Sequence, residues 1–138
     1  MPRILMRADI YGTRDSRLRA DIQRLCRRVA RDFKPDAPVV NFIFVNDRQI
    51  HELNRQFLHR DRPTNVISFN SDEPRLPREP RLLGEVYISR ARAREQAREY
   101  GVSYASELRR LVLHGLLHLI GLTHRKMEPL YRRYLETR

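Results

Sequence analysis

His114, His118 and His124 are the residues whose type and spacing point most directly to chemistry. They lie in the run L-V-L-H-G-L-L-H-L-I-G-L-T-H. His114 and His118 stand at i and i+4, so on a helix both imidazoles project from one face, one turn apart. Gly121 is placed to end that helix in a left-handed cap, and His124 lies just past the turn, where the chain can fold it back toward the first two. Three neutral imidazoles and a free fourth position make an open, catalytic-type zinc site. One zinc ion in such a site lowers the pKa of a bound water to about 7. A lone histidine on an apolar face is more simply a hydrogen-bonded core or rim residue. Here the segment from Leu111 to Ile120 is apolar nearly all round, which marks a buried helix. Two imidazoles buried there need partners for four ring nitrogens, or a metal that takes one from each.

The residue after the first histidine limits the reaction class. The same histidine spacing occurs in the metzincin proteases, which place a glutamate there as general base. Here the position is Gly115, which carries no proton-transfer group. Peptide hydrolysis by that route is disfavoured. The nearest acidic neighbour in sequence, Glu107, lies two turns earlier and reads as a first-turn helix charge.

The elements that position these residues follow from periodicity. Residues 3–10 alternate, with Ile4, Met6, Ala8 and Ile10 on one side, as in a strand. Leu18, Ile22, Leu25, Val29 and Phe33 recur at helical spacing, and Pro35 and Pro38 stop that helix. Val39 to Val45 is a buried-strand run. Asn46 or Asp47 caps a second helix through Ile50, Leu53, Asn54 and Phe57. Val66 to Phe69 and Leu83 to Ile88 read as the third and fourth strands, separated by a proline-rich loop over 70–81. Ser89 caps an arginine-rich helix that Gly101 ends, and Ser103 starts the histidine helix. Residues 126–136 form a short closing helix. The order predicts one α+β domain over 1–138. Its small mixed four-stranded sheet packs with about five helices and carries the metal site on a helix of the C-terminal half.

Composition bounds the partners. The 138 residues suffice for one core, and 41% of them are hydrophobic, as in ordinary globular proteins. The net charge is +11, carried by 28 basic residues of which only Lys34 and Lys126 are lysine. A small domain this basic fits a polyanion, with nucleic acid the default. The bland alternative is a solvated cationic surface. Arg90, Arg94 and Arg98 form a stripe at i, i+4 and i+8, which Glu95 and Glu99 partly offset, so a solvated face is the simpler reading there. Cys26 is the one cysteine, so no internal disulfide forms and a reducing compartment is expected. The run Met-Pro-Arg-Ile-Leu lacks the apolar core of a signal peptide, and the apolar run from Leu111 to Leu122 is too short for a bilayer, which needs ~20 residues. The expectation is a cytoplasmic protein with no membrane partner.

A second constellation enters the third strand: H-R-D-R-P-T-N-V-I-S-F, residues 59–69. Arg60 and Arg62 suit phosphate by charge and by their planar donor forks. Thr64, Asn65 and Ser68 are short polar groups that brace a turn or touch a ligand. Turn chemistry alone explains Asp61, Pro63, Thr64 and Asn65 about as well.

With the histidines, this segment becomes specific. The chain resembles the YbeY family of bacterial rRNA maturation endoribonucleases. Three stretches carry the resemblance: F-L-H-R-D-R-P-T-N-V-I-S-F at 57–69, L-L-G-E-V-Y-I-S at 82–89 and H-G-L-L-H-L-I-G-L-T-H at 114–124. Their order and separation fit, over about residues 4 to 136. Gly115 after the first histidine is the family's pattern. The resemblance implies that His114, His118 and His124 bind one Zn²⁺ ion. It implies cleavage of single-stranded RNA, maturation of the 16S rRNA 3′ end, a role in ribosome quality control, and contact with the small ribosomal subunit and its proteins. On this reading His114 and Arg60 are catalytic, and Arg60, Arg62, Thr64, Asn65 and Ser68 bind substrate.

The chain departs from the family in four places. Thr123 stands where an aspartate often precedes the last histidine, removing a carboxylate partner for a ligand. Glu85 replaces the usual aspartate after Gly84. Leu58 occupies a position that carries an arginine in some members, and Arg60 is the candidate to serve instead. The acidic segment after the last histidine is shortened to Arg125-Lys126. Two rival functions follow from the residues: a non-catalytic ribosome assembly factor with structural zinc, and, less favoured because of Gly115, a metalloprotease.

Overall fold

The computed structural model describes residues 6–60, 62, 64–71 and 81–135. Its elements are β1 (Arg7–Tyr11), α1 (Ser16–Phe33), β2 (Val39–Val45), α2 (Asp47–Leu58), β3 (Val66–Asn70), β4 (Leu82–Ser89), α3 (Arg90–Tyr100), α4 (Tyr104–Ile120) and α5 (His124–Leu135). This is the expected α+β domain with five helices and a four-stranded mixed sheet. The sheet order is β1-β2-β4-β3. β1, β2 and β4 run parallel, and β3 pairs antiparallel with β4 in the register Val66↔Ile88 to Asn70↔Gly84. Among the described residues, no helix is long and apolar enough to cross a membrane. Ile4, Asp61, Pro63 and most of the 70–81 loop lie outside the described residues.

The helix ends obey local rules. Asp15, Asn46, Ser89 and Ser103 cap α1, α2, α3 and α4 with their side-chain oxygens, and Asn46 and Gln49 complete a capping box. Gly101 and Gly121 take the left-handed caps that the sequence assigns them. Among the described residues, two that are not glycine adopt the same conformation, Lys34 closing α1 and His59 closing α2. The closing helix begins at His124, not at 126. Thr123 explains the difference: its carbonyl accepts from the Met127 N–H at 3.0 Å, and its hydroxyl accepts from Lys126 N–H at 3.4 Å. Thr123 is thus a helix cap, and the position is occupied by local backbone chemistry.

The two sheet faces are covered unequally. The main core joins the sheet to α1, α4 and α5 through residues such as Ile22, Val29, Phe42, Val86, Ile88, Leu113, Leu116 and Met127. The other face carries α2 and a smaller cluster of Val45, Ile50 and Ile67, edged by Phe69 and Tyr87. α4 is held by packing. Leu108, Leu111, Leu113, Leu116, Leu117 and Leu119 are all buried on it, worth on the order of 10 kcal/mol in gross transfer energy. Against that, Gly115 within the helix costs only ~1 kcal/mol.

Candidate metal centre

Gly115 marks where α4 crosses the sheet. A Cβ there would stand 2.4 Å from Val86 Cγ1 and 3.1 Å from Ser68 Oγ. Gly84 makes the matching contact on β4, where a Cβ would stand 2.3 Å from the Phe69 carbonyl oxygen and 2.7 Å from Leu119. The absence of a base at position 115 therefore has a packing cause: no side chain fits. Two hydrogen bonds fix the helix in this crossing. Ser68 Oγ–H donates to the Gly115 carbonyl at 3.2 Å, and Asn70 Nδ2–H donates to the Leu119 carbonyl at 2.8 Å. Ser68 and Asn70 are two apart on β3 and their acceptors are four apart on α4, so the two periodicities meet in register.

With residues 115 and 119 against the sheet, His114 and His118 are turned to the flank of α4, where both are half-buried. Their Nε2 atoms are 3.1 Å apart and their ring centroids 4.5 Å apart. The His124 ring, on the first residue of α5, lies 4.8 Å from that of His118 and 5.7 Å from that of His114 by centroid. The structure brings the three predicted ligands together. Burial first, then the neighbouring His118, Arg110 and His124, pushes the His114 pKa down to about 4. Burial and His124 also lower that of His118. Both imidazoles are held neutral, the form in which they donate a lone pair.

The fit to zinc is good in donor chemistry. Two nitrogens bound at ~2.0–2.1 Å in a tetrahedral site are about 3.3 Å apart, close to the 3.1 Å separation here. With the side chains as they stand, no group of three or more His, Cys, Asp or Glu among the described residues closes into a complete metal-holding set. The Nε2 atoms of His114 and His118 are paired, and the His124 ring stands next to both.

Tyr131, which the sequence reading missed, completes the surroundings of His114. Its hydroxyl oxygen lies 2.6 Å from His114 Nδ1, and the two rings are stacked within 13°. In the tautomer that frees Nε2, Nδ1–H donates to Tyr131. This is the orienting partner that metal-ligating histidines require. Met127, Leu130, Tyr131 and Tyr134 share the inner face of α5 at helical spacing, and that stripe is the signal that could have found it. Glu107 is fully buried and holds Arg110 with two 2.7 Å contacts, one turn before His114. It is the first-turn charge expected of α4 and also the buried partner of an ion pair.

The second constellation divides. Asn65 Nδ2–H donates to Gln96 at 3.1 Å and Ser68 bonds to α4, so both join elements together. Thr64 is half-buried beside them. Arg60 and Arg62 are exposed and make no ion pair among the described residues. Their loop is tethered by the buried Asn54, whose carbonyl accepts from Arg60 N–H at 3.2 Å and whose Nδ2–H donates to the Arg62 carbonyl at 2.8 Å. Glu85 bonds Asn41 and Tyr87 on the α2 side of the sheet, away from the histidine helix.

Comparison with known proteins agrees with this architecture. A family model described as endoribonuclease YbeY matches residues 7–134. A Syntrophotalea carbinolica protein named endoribonuclease YbeY is 40% identical over 119 residues, covering 85% of this chain and 79% of the relative. One of the same name from Desulfitobacterium hafniense is 44% identical over 108 residues, covering 74% and 69%. A Thermotoga maritima protein of known solution structure superposes with a TM-score of 0.66 at 30% identity, over 94% of this chain and 87% of that one.

Proposed function

Because the chain belongs to the YbeY endoribonuclease family, we propose that it is a zinc-dependent endoribonuclease that cuts single-stranded RNA. Its role would be in maturing the 16S rRNA 3′ end and in ribosome quality control, at the small ribosomal subunit in the cytoplasm. The observation that carries the metal reading is the pair of neutral Nε2 atoms 3.1 Å apart on one helix flank.

His114, His118 and His124 would hold one zinc ion. Bound there, zinc would supply Lewis acidity that offsets negative charge developing at phosphorus. Tyr131 keeps His114 in the tautomer that presents Nε2. Ser68 and Asn70 fix the depth and rotation of α4, and so the direction of both histidines. Arg60 and Arg62, on a loop tethered by Asn54, are free to grip phosphate oxygens by charge-assisted hydrogen bonds. A protease mechanism is disfavoured, because position 115 has no room for a glutamate.

The test is cleavage of a labelled single-stranded RNA by the purified chain, with zinc, with chelator, and with His114→Ala as contamination control. Metal-dependent cutting by the wild type alone is expected. A chain that holds zinc and binds RNA but cuts nothing would instead favour a non-catalytic assembly factor.

A further inference from the structure

A second site lies on another flank of α4, toward its N-terminal end. A cavity of about 560 Å³ opens between the β1–α1 turn, the start of α3, the start of α4 and the end of α5. None of the three histidines lines it. Six arginines do: Arg17, Arg24, Arg28, Arg90, Arg94 and Arg109. Against them stand Asp15 and Asp21, leaving a surplus of four positive charges. Asp15 is occupied as the α1 cap, and Asp21 pairs Arg24 at 3.3 Å and Arg109 at 3.6 Å.

The arginines are held in place. Arg90 donates to the Gly12 carbonyl at 3.0 Å and Arg28 to the Tyr134 carbonyl at 2.9 Å. Arg94 lies 4.9 Å over the ring of Tyr104. Arg17 makes no ion pair among the described residues. The carbonyl and ring that hold Arg90 and Arg94 are neutral, so these contacts position the two guanidinium groups without cancelling their charge. A concave wall concentrates their field.

The dimensions favour a polyanion over a single anion. Arg17, Arg24 and Arg28 share one face of α1 and span ~16 Å along it at 1.5 Å per residue. One phosphate is too small to meet all three. A chain of phosphates is not. The stripe Arg90–Arg94 on α3 forms the facing wall.

We infer that this groove is a second RNA-binding site, which takes backbone phosphates of single-stranded RNA outside the histidine centre. The inference rests on the proposed RNA substrate, but not on cleavage. The groove holds the strand by charge without reading bases, while the histidine flank acts on a different phosphodiester.

The test is binding of a fluorescent single-stranded RNA of about 20 nucleotides by anisotropy, in chelator so that metal-dependent cutting is suppressed. The double variant Arg17→Ala/Arg94→Ala is compared with Arg31→Ala/Arg48→Ala, which removes the same charge from exposed positions outside the groove. The groove pair should weaken binding about 10-fold near 0.1 M salt and lower the log–log salt slope by about 1.4, at ~0.7 per lost phosphate contact on a single strand. The outside pair should change affinity less than about 2-fold. Equal losses in both pairs would mean that only net charge matters, and no loss in the groove pair would remove the site; either overturns the inference. Should loss of the Arg94–Tyr104 contact shift the melting midpoint, Arg17→Glu alone carries the same comparison. Cleavage is scored separately. A chain that loses RNA through the groove variants but never cuts keeps the groove and loses the nuclease reading; the reverse pattern keeps the nuclease and loses the groove.

Discussion

The two flanks of α4 are built from opposite materials. On one, His114 and His118 are half-buried, neutral, and fixed by Tyr131 from α5. On the other, Arg109 and arginines of α1 and α3 surround an open cavity. The first flank depends on sub-ångström packing, because the helix must lie close enough to β3 and β4 to exclude even a Cβ at 115. The second depends on charge density and tolerates small displacements. Local geometry and long-range field thus occupy different stretches of α4, the histidines at 114 and 118 and the groove at 104–109. Substitutions on the histidine flank should alter metal affinity and stability. On the arginine flank, Arg17→Ala breaks no ion pair among the described residues, so it should leave stability within ~0.5 kcal/mol and act on binding.

The sharpest way to separate the flanks short of removing a histidine is Tyr131→Phe. Removing the hydroxyl that orients His114 should weaken zinc binding about 10- to 100-fold without changing the fold. Competition with a chromogenic chelator measures it, and unchanged affinity would detach Tyr131 from the site. Next is Gly115→Ala. Its Cβ meets Val86 at 2.4 Å, so overpacking of ~1–3 kcal/mol should outweigh the ~1 kcal/mol gain in helix propensity. The melting midpoint should fall; a rise would show that the crossing is loose. Asn70→Ala should cost about 1 kcal/mol by leaving the Leu119 carbonyl without its donor. It should lower zinc affinity as well, while the RNA salt slope stays unchanged.

The smallest effect lies at the end of α5 that borders the arginine groove. Tyr134 donates to Asp32, and burial together with that carboxylate pushes its pKa up to about 12. The unfolded chain releases this proton near pH 10. A raised folded pKa means that the stabilisation is complete below pH 10 and is lost between 10 and about 12. Tyr134→Phe should flatten that part of the stability–pH curve. The buried Cys26, also raised to about 12, should keep its own decline from about pH 9 upward in the variant.

What the sequence made legible follows from the range of the interactions. β2 and α4 were readable because an apolar run or a cap announces itself within one segment. The pairing of His114 with His118 was readable because i, i+4 is a helical invariant. Tyr131 was not, because its contact crosses a helix turn and joins two elements. The sheet order was not, because β4 inserts between β2 and β3 by non-local pairing. Thr123 illustrates the limit in the other direction. Family comparison presented it as a missing carboxylate, whereas the backbone around it uses it to begin α5. Ser68 and Asn65 likewise carry polar groups that either touch a ligand or hold elements together, and only the folded chain shows that both make internal bonds. That Gly115 carries no proton-transfer group is plain in the sequence, whereas its packing cause is visible only with Val86 beneath it.

The most direct test of the central claim is the zinc content of the chain after equilibrium dialysis against a limiting concentration of free metal. The account predicts one zinc ion per wild-type chain and none in His114→Ala, with the Arg17→Ala/Arg94→Ala variant retaining its full complement. Zinc retained in full by His114→Ala, or none taken up by a folded wild type, would contradict it.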